Sequence, residues 1–185
     1  MGDGENAAER RPGGAHVKRP RMLGTNFVAM RVRLSCLLPC PVQRLVSELA
    51  RPALLDYLSS PMLVFEPVEP AEPVERWSVG KYRFRLLMAG RLPIGEHVIN
   101  VQRTVADPEE VATSPVVWHD AGYSDLIRVW DHQVVLEDFL GMARYTDHVE
   151  IHAGLLTMPA WLFALAFYLH RQRRLNRLAA AGFAY

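Results

Sequence analysis

The sequence has almost no excess of charge of one sign. It carries 21 Lys and Arg against 20 Asp and Glu, for a formal net charge of +1 over 185 residues, and half of its residues are hydrophobic. A chain that is disordered throughout, or that binds nucleic acid through its overall charge, needs a charge imbalance or few apolar residues. The composition therefore excludes both classes for the chain as a whole, and we expect no nucleic-acid partner.

Cysteines and long apolar runs are also scarce. Two cysteines, Cys36 and Cys40, cannot form a disulfide framework, and a metal site would need two further ligands near them. The longest uncharged apolar run, Leu155 to Leu169, has 15 residues, fewer than the roughly 18 expected of a membrane span. The basic N-terminal segment lacks the apolar stretch of a signal peptide. We therefore expect a soluble, cytoplasmic protein without metal or cofactor.

The pattern of apolar residues predicts one folded domain. Residues 1–26 contain glycines, prolines and scattered charges without periodicity and are predicted to be a disordered tail, so the domain covers residues 27–181. A strand begins at Phe27, where apolar and polar residues alternate. Pro41 and Pro52 then each open a short helix with apolar residues at spacings of three and four.

The middle of the chain has the pattern of an antiparallel sheet. The clearest strand is Lys81 to Met88, in which apolar side chains alternate with cations. Prolines 67, 70 and 73 predict an extended connection before it, and we interpret Pro93 to Gly95, Gly122 and Gly141 as turns. The other predicted strands are Met62 to Phe65, Glu96 to Val105, Val116 to Trp118, Leu126 to Leu136, and Met142 to Ile151.

The last predicted element is a long helix, Ala160 to Ala181, with Pro159 at its start. Four arginines crowd its C-terminal half, where cations stabilise the helix dipole. Together with the apolar first half, they permit transient contact with an anionic membrane surface. The residues of this predicted surface are Arg171, Arg173, Arg174 and Arg177.

The order of elements predicts an α+β fold in which the long helix covers a curved sheet of about six to seven strands. This order resembles the START-like SRPBCC superfamily, the helix-grip fold that includes polyketide cyclase/dehydrase-like proteins. The resemblance rests on the opening strand with its helix, Leu92 to Gly95, Trp130 to His132, Tyr145 to Glu150, and the terminal helix. It implies a hydrophobic cavity between sheet and helix that binds a lipid, polyketide or aromatic metabolite.

One charge stands on an apolar strand face. Asp147 shares its face with Tyr145, Val149 and Ile151, and a hairpin that pairs Leu136 with Ala143 would place His132 opposite it. A buried carboxylate must be paired or neutralised. We expect the carboxylate to raise the pKa of the histidine unless burial dominates. The pair could satisfy the core, anchor a ligand or act as a general base.

Three functions remain open at this point. The first is a non-enzymatic binding protein for a hydrophobic small molecule, and the second is a cyclase/dehydratase-type enzyme that uses His132 and Asp147. The third is a module that docks on a membrane or partner through the basic helix. The oligomeric state is not assigned. The residues predicted to contact a ligand share inward-facing positions, and they are Tyr82, Phe84, Leu86, His97, Ile99, Trp118, Trp130, His132, Tyr145, Asp147, Trp161, Leu165 and Tyr168.

Overall fold

The strands and helices follow the predicted order. The computed structural model describes residues 28–104, 111 and 115–185, so the predicted tail lies outside the described residues. The elements are β1 (Met30–Leu38), α1 (Val42–Leu49), α2 (Pro52–Ser59), β2 (Leu63–Glu69), β3 (Gly80–Met88), β4 (Leu92–Thr104), β5 (Val116–Ser124), β6 (Val129–Phe139), β7 (Met142–His152), a 3-10 turn (Gly154–Leu156) and α3 (Thr157–Ala180). No described helix is long and apolar enough to cross a membrane.

The seven strands in the described ranges form one antiparallel sheet in the order β1-β7-β6-β5-β4-β3-β2. The first strand therefore pairs with the last, and α1 and α2 carry the chain from one edge of the sheet to the other. Register shifts interrupt the β2–β3, β3–β4, β4–β5 and β5–β6 ladders. Such irregularities increase the local twist and bend of a sheet, and the curved sheet of the predicted α+β fold is confirmed.

Helix α3 is fastened to the edge strand β1 by polar side chains. Trp161 Nε1 donates to the carbonyl oxygen of Arg31 at 2.8 Å, and Gln172 Nε2 donates to that of Leu34 at 3.0 Å. Asn176 Nδ2 makes the same kind of bond to Leu37 at 2.9 Å. An edge strand presents backbone groups that need partners. These three side chains satisfy part of that edge and hold the helix along it.

Prolines end fewer strands than the sequence suggests. Strand β2 continues through Pro67 to Glu69, where the prediction ended it at Phe65. This is tolerated because β2 lies at the edge of the sheet and its register shifts between Pro67 and Glu69. Pro93 to Gly95 likewise belongs to β4, at the point where the β3–β4 register shifts, and not to a turn.

The interpretation of Gly122 as a turn is wrong. It lies inside β5 and pairs with Trp130 of β6. A Cβ at this position would come within 2.9 Å of His97 Nε2 and within 3.0 Å of the carbonyl oxygen of Val98. A glycine is present here because the neighbouring strand comes so close, and β5 consequently extends to Ser124.

The predicted β6–β7 register is wrong by two residues. The hairpin turns through Leu140 and Gly141 alone, so Leu136 pairs with Tyr145 and His132 pairs with Val149. Both turn residues have positive φ, 56° and 79°, as a tight two-residue hairpin turn requires. Because side chains alternate with a period of two, a shift by two residues keeps every side chain on its predicted face.

Candidate functional site

A cavity of about 240 Å³ lies between the concave face of the sheet and helices α2 and α3. Its walls are mostly apolar. Helix α2 contributes leucines, and the sheet and α3 contribute aromatic rings. The main apolar side chains are Leu54, Leu55, Leu58, Leu63, Trp118, Trp130, Phe163 and Phe167.

The cavity reaches the surface on one side. Met88 at the end of β3 and Leu126 before β6 line it and are exposed. Asp120, His132 and Arg171 line it and are buried. Arg51 and Glu96 also line it and are exposed. The cavity therefore has an entrance with both apolar and charged side chains and a buried end that carries ionisable groups.

The carboxylate of Asp147 lies behind this buried end. It has no exposed surface and takes part in three side-chain hydrogen bonds. Oδ1 lies 2.8 Å from His132 Nε2 and accepts from the Tyr145 hydroxyl at 2.8 Å. Oδ2 accepts from Gln172 Nε2 at 2.9 Å. The predicted contact between His132 and Asp147 is therefore present, although it is diagonal across the ladder and not between directly paired residues.

Burial sets the protonation of His132. It lowers the pKa of the imidazole and outweighs the opposing hydrogen bond and charge of Asp147. Burial would raise the pKa of Asp147, but the hydrogen bond and charge of His132, with Arg171 and Gln172, bring it below the usual value. At neutral pH the carboxylate is ionised and the imidazole is neutral. Nε2 must then carry the proton and donate it to Asp147, which leaves Nδ1 as an acceptor.

Two further titratable groups line the cavity. Burial raises the pKa of Asp120 to about 7, against the hydrogen bond that its Oδ1 accepts from the Asn100 backbone N–H at 2.7 Å. Burial lowers the pKa of His97 to about 4. Near neutral pH, Asp120 therefore changes charge while His97 stays neutral.

Arg171 does not belong to a membrane-facing surface. It is buried on the cavity wall, where its guanidinium lies 5.2 Å from the ring centroid of Tyr168. Arg174 is half-buried and lies over the ring of Tyr57 at 4.3 Å. Only Arg173 and Arg177 of the four predicted arginines are exposed. The basic pattern misled because two of the four cations cover aromatic rings inside the fold.

The structure brings about half of the predicted ligand residues to the cavity wall. Those that line it are Leu86, His97, Ile99, Trp118, Trp130, His132 and Tyr168. Those that do not line it are Tyr82, Phe84, Tyr145, Asp147, Trp161 and Leu165.

The residues that miss the cavity have other partners. Tyr82 packs on Trp77 with ring centroids 4.8 Å apart, and Phe84 packs edge-on against Phe65 at 5.7 Å. Trp161 binds the backbone of β1, and Leu165 packs in the core beneath α3. Tyr145 and Asp147 form the hydrogen-bonded cluster behind His132. These six residues do not line the cavity, and their predicted contact with a ligand has no support from its geometry.

Sequence reasoning missed two buried charged residues of the cavity wall and a partner of Asp147. Asp120 was hidden because Gly122 was interpreted as a turn, so the alternation of β5 was not followed past Trp118. Arg171 was assigned to the basic surface of the terminal helix. Gln172 lies on the same helix, but nothing in its spacing pointed to Asp147. Continuing the period of two along β5 would have placed Asp120 on the face of Trp118.

The described residues contain no group of three His, Cys, Asp or Glu side chains placed to hold a metal ion. Burial, with a smaller contribution from Asp147, raises the pKa of the Cys36 thiol to about 12. Burial also raises that of Cys40. A thiol must lose its proton to bind a metal, and both cysteines remain free thiols.

Comparison with known proteins finds solved structures of the same fold but no matching sequence. No protein-family model matches this chain, and no curated protein sequence matches it. The structure resembles a Zhui aromatase/cyclase from Streptomyces sp. R1128 at 12% identity, with 83% of this chain and 94% of that chain covered and a TM-score of 0.55. It also resembles Ara h 8.0201 at 10% identity, with coverage of 83% and 99% and a TM-score of 0.57.

A protein of Chromobacterium violaceum shows the same architecture at 15% identity, with coverage of 80% and 96% and a TM-score of 0.57. At these identities the likeness concerns the fold alone. The chain has the helix-grip fold of START-like SRPBCC proteins, as its order of elements predicts.

The protonation of His132 can be tested directly. At pH 7, ¹⁵N shifts of the imidazole should show a neutral ring with the proton on Nε2. Asp147→Asn should weaken this tautomer preference because the charged acceptor is lost. His148, on the opposite face of β7, serves as the internal control. A doubly protonated His132 in the wild type would contradict the assignment.

The titration of Asp120 should appear in the pH dependence of stability. Its pKa is raised in the folded state, so between pH 4 and 7 the folded protein holds a proton that the unfolded chain has released. This contribution makes the free energy of unfolding fall as pH rises through that interval. Asp120→Asn removes it while keeping an oxygen for the Asn100 N–H, so the variant should gain up to about 4 kcal/mol relative to wild type by pH 8.

Urea denaturation from pH 4 to 8 measures this difference. Taking the difference between variant and wild type cancels the opposing contribution of His97, whose lowered pKa makes stability rise with pH. Asp125→Asn, at an exposed position, is the matched control and should show no such trend. A difference that stays flat with pH for Asp120→Asn would show that this carboxyl group titrates normally.

Proposed function

We propose that this protein binds a hydrophobic small molecule in the cavity between the sheet and helix α3. The observation that carries the proposal is the cavity itself, about 240 Å³, apolar along most of its wall and open to the surface beside Met88 and Leu126. Ligand sites are typically concave and mostly apolar, with a few polar groups that fix orientation. Lipids, polyketides and aromatic metabolites are the ligand classes with this character.

The enzymatic alternative has weaker support. In a His132–Asp147 general-base pair only the imidazole must reach the cavity, and His132 does line it, with Asp147 fully buried behind it. The same arrangement equally suits a histidine that hydrogen-bonds a polar group of a bound ligand, so the pair by itself does not favour catalysis. The aromatase/cyclase of Streptomyces shares the fold, but a shared fold does not carry an activity with it. We therefore place binding ahead of turnover.

Docking on a membrane through the terminal helix is also less favoured. Arg171 faces the cavity and Arg174 covers Tyr57, so the exposed cations of the predicted surface are Arg173 and Arg177. Two arginines provide only a small electrostatic attraction to an anionic surface.

Binding can be tested with N-phenyl-1-naphthylamine, an uncharged dye that fluoresces in apolar surroundings. We expect saturable binding to the wild type. Leu86→Trp, which enlarges a half-buried side chain on the cavity wall, should weaken binding by about tenfold or more because the added ring occupies ligand volume.

Leu162→Trp is the matched control for this substitution. Leu162 is exposed on α3 and does not line the cavity, so the same enlargement there should leave the dye affinity unchanged. Circular dichroism checks that both variants fold. Equal affinities for wild type and Leu86→Trp would mean that the dye binds elsewhere and would contradict the proposal.

A further inference from the structure

The guanidinium of Arg171 is buried on the cavity wall with an unused hydrogen-bond donor. The residue is 9% exposed, and its Nε has no hydrogen-bond partner among the described residues. It forms no salt bridge within the described part of the chain. Its head group lies over the rings of Phe167, at 5.7 Å, and Tyr168, at 5.2 Å. The guanidinium also interacts with the Tyr168 hydroxyl. Its contacts therefore offer ring faces and a neutral hydroxyl but no anion.

The other buried charges have better partners. Asp147 has three side-chain hydrogen-bond partners, and Glu48 forms ion pairs with Arg44 and Arg51. Arg174 also has an unpartnered Nε, but it is only half-buried and does not line the cavity. Among the described residues that line the cavity, Arg171 thus combines burial, positive charge and a free donor.

Nearby carboxylates do not remove the need for an anion. Asp147 is near enough to favour the charged form of Arg171 but is engaged with His132, Tyr145 and Gln172. Asp120 is close enough for Arg171 to favour its ionised form, but burial outweighs this and raises the pKa of Asp120 to about 7, so it is only a partial counter-charge at neutral pH. A buried cation without a close counter-ion is costly. A ligand anion placed in the cavity would offset that cost.

We propose that Arg171 binds the carboxylate of a hydrophobic acid whose apolar body fills the cavity toward Met88 and Leu126. The inference rests on the proposed ligand-binding function and specifies its ligand class. Arginine suits this task because its planar fork matches carboxylate geometry and stays charged when buried. The apolar wall next to the entrance accepts the rest of the molecule.

The test compares two ligands that differ only in charge, 2-naphthoate and 2-naphthamide. Each displaces N-phenyl-1-naphthylamine from the wild type, Arg171→Gln, Arg171→Lys and Arg173→Gln. In the wild type, naphthoate should bind more tightly than naphthamide. Arg171→Gln should weaken naphthoate by about 10- to 100-fold and change naphthamide and the dye by less than about threefold.

The two remaining variants test whether the positive charge at position 171, and not the loss of any arginine from this helix, determines naphthoate binding. Arg171→Lys keeps the charge and should retain part of the preference for naphthoate, while Arg173→Gln, at an exposed position on the same helix, should retain all of it. Dye binding by Arg171→Gln reports that its cavity is intact. If that variant does not fold, the wild-type preference and the Arg171→Lys variant still decide the question.

Failure of this inference differs from failure of the proposed function. If the dye binds the wild type and naphthoate binds no better than naphthamide, the role of Arg171 is overturned and the binding function stands. Equal losses for both ligands in Arg171→Gln overturn it as well. If neither the dye nor either naphthalene binds the wild type, both proposals fall.

Discussion

The buried carboxylate of Asp147 joins three elements that carry the site. It contacts His132 on β6, Tyr145 on its own strand β7 and Gln172 on α3, and Gln172 also bonds the backbone of the edge strand β1. An ionised carboxylate in the core is stable only with such partners. Its hydrogen bonds fix the tautomer of His132 and hold the middle of α3 against the sheet. The preceding helical residue, Arg171, is thereby placed on the cavity wall.

This arrangement gives the cavity two different ends. Helix α3 is fastened along the edge strand β1 at Trp161, Gln172 and Asn176, and the cavity lies between it and the concave face of the sheet. Leucines of α2 and rings of the sheet and helix close the sides. The buried end presents a cation, a carboxyl group that titrates near neutral pH and two neutral imidazoles. A ligand with an apolar body and one acidic group matches both ends.

Much of the fold could be predicted because the sequence pattern within each strand or helix indicates that element without reference to the others. The alternation in β3 and β7 and the uninterrupted terminal pattern are local signals, and they predicted the correct elements. The contact between His132 and Asp147 was predicted although the register was wrong, because an even shift preserves the face. The turn at Leu140 and Gly141 lacks the usual Asn-Gly signal, so its length could not be obtained locally.

The charged end of the cavity could not be predicted in the same way. Whether Arg171 is buried depends on how α3 crosses the sheet, and neighbouring arginines made a solvated face the natural interpretation. The position of Asp120 on the cavity wall could be predicted only if Gly122 was recognised as part of a strand and not as a turn. The distinction depends on the close approach of His97 and Val98 from the neighbouring strand. Such long-range packing has no local sequence signal.

The central claim is that the two buried aspartates of this region titrate in different pH ranges, Asp147 below the usual range and Asp120 near neutral pH. Carbon-detected NMR titration of the side-chain carboxyl groups between pH 3 and 9 measures both. Although burial opposes it, His132, Arg171 and Gln172 lower the pKa of Asp147, so we expect it to titrate below the usual range of an aspartate, while Asp120 titrates at about pH 7. An Asp147 that takes up its proton near neutral pH would contradict this claim.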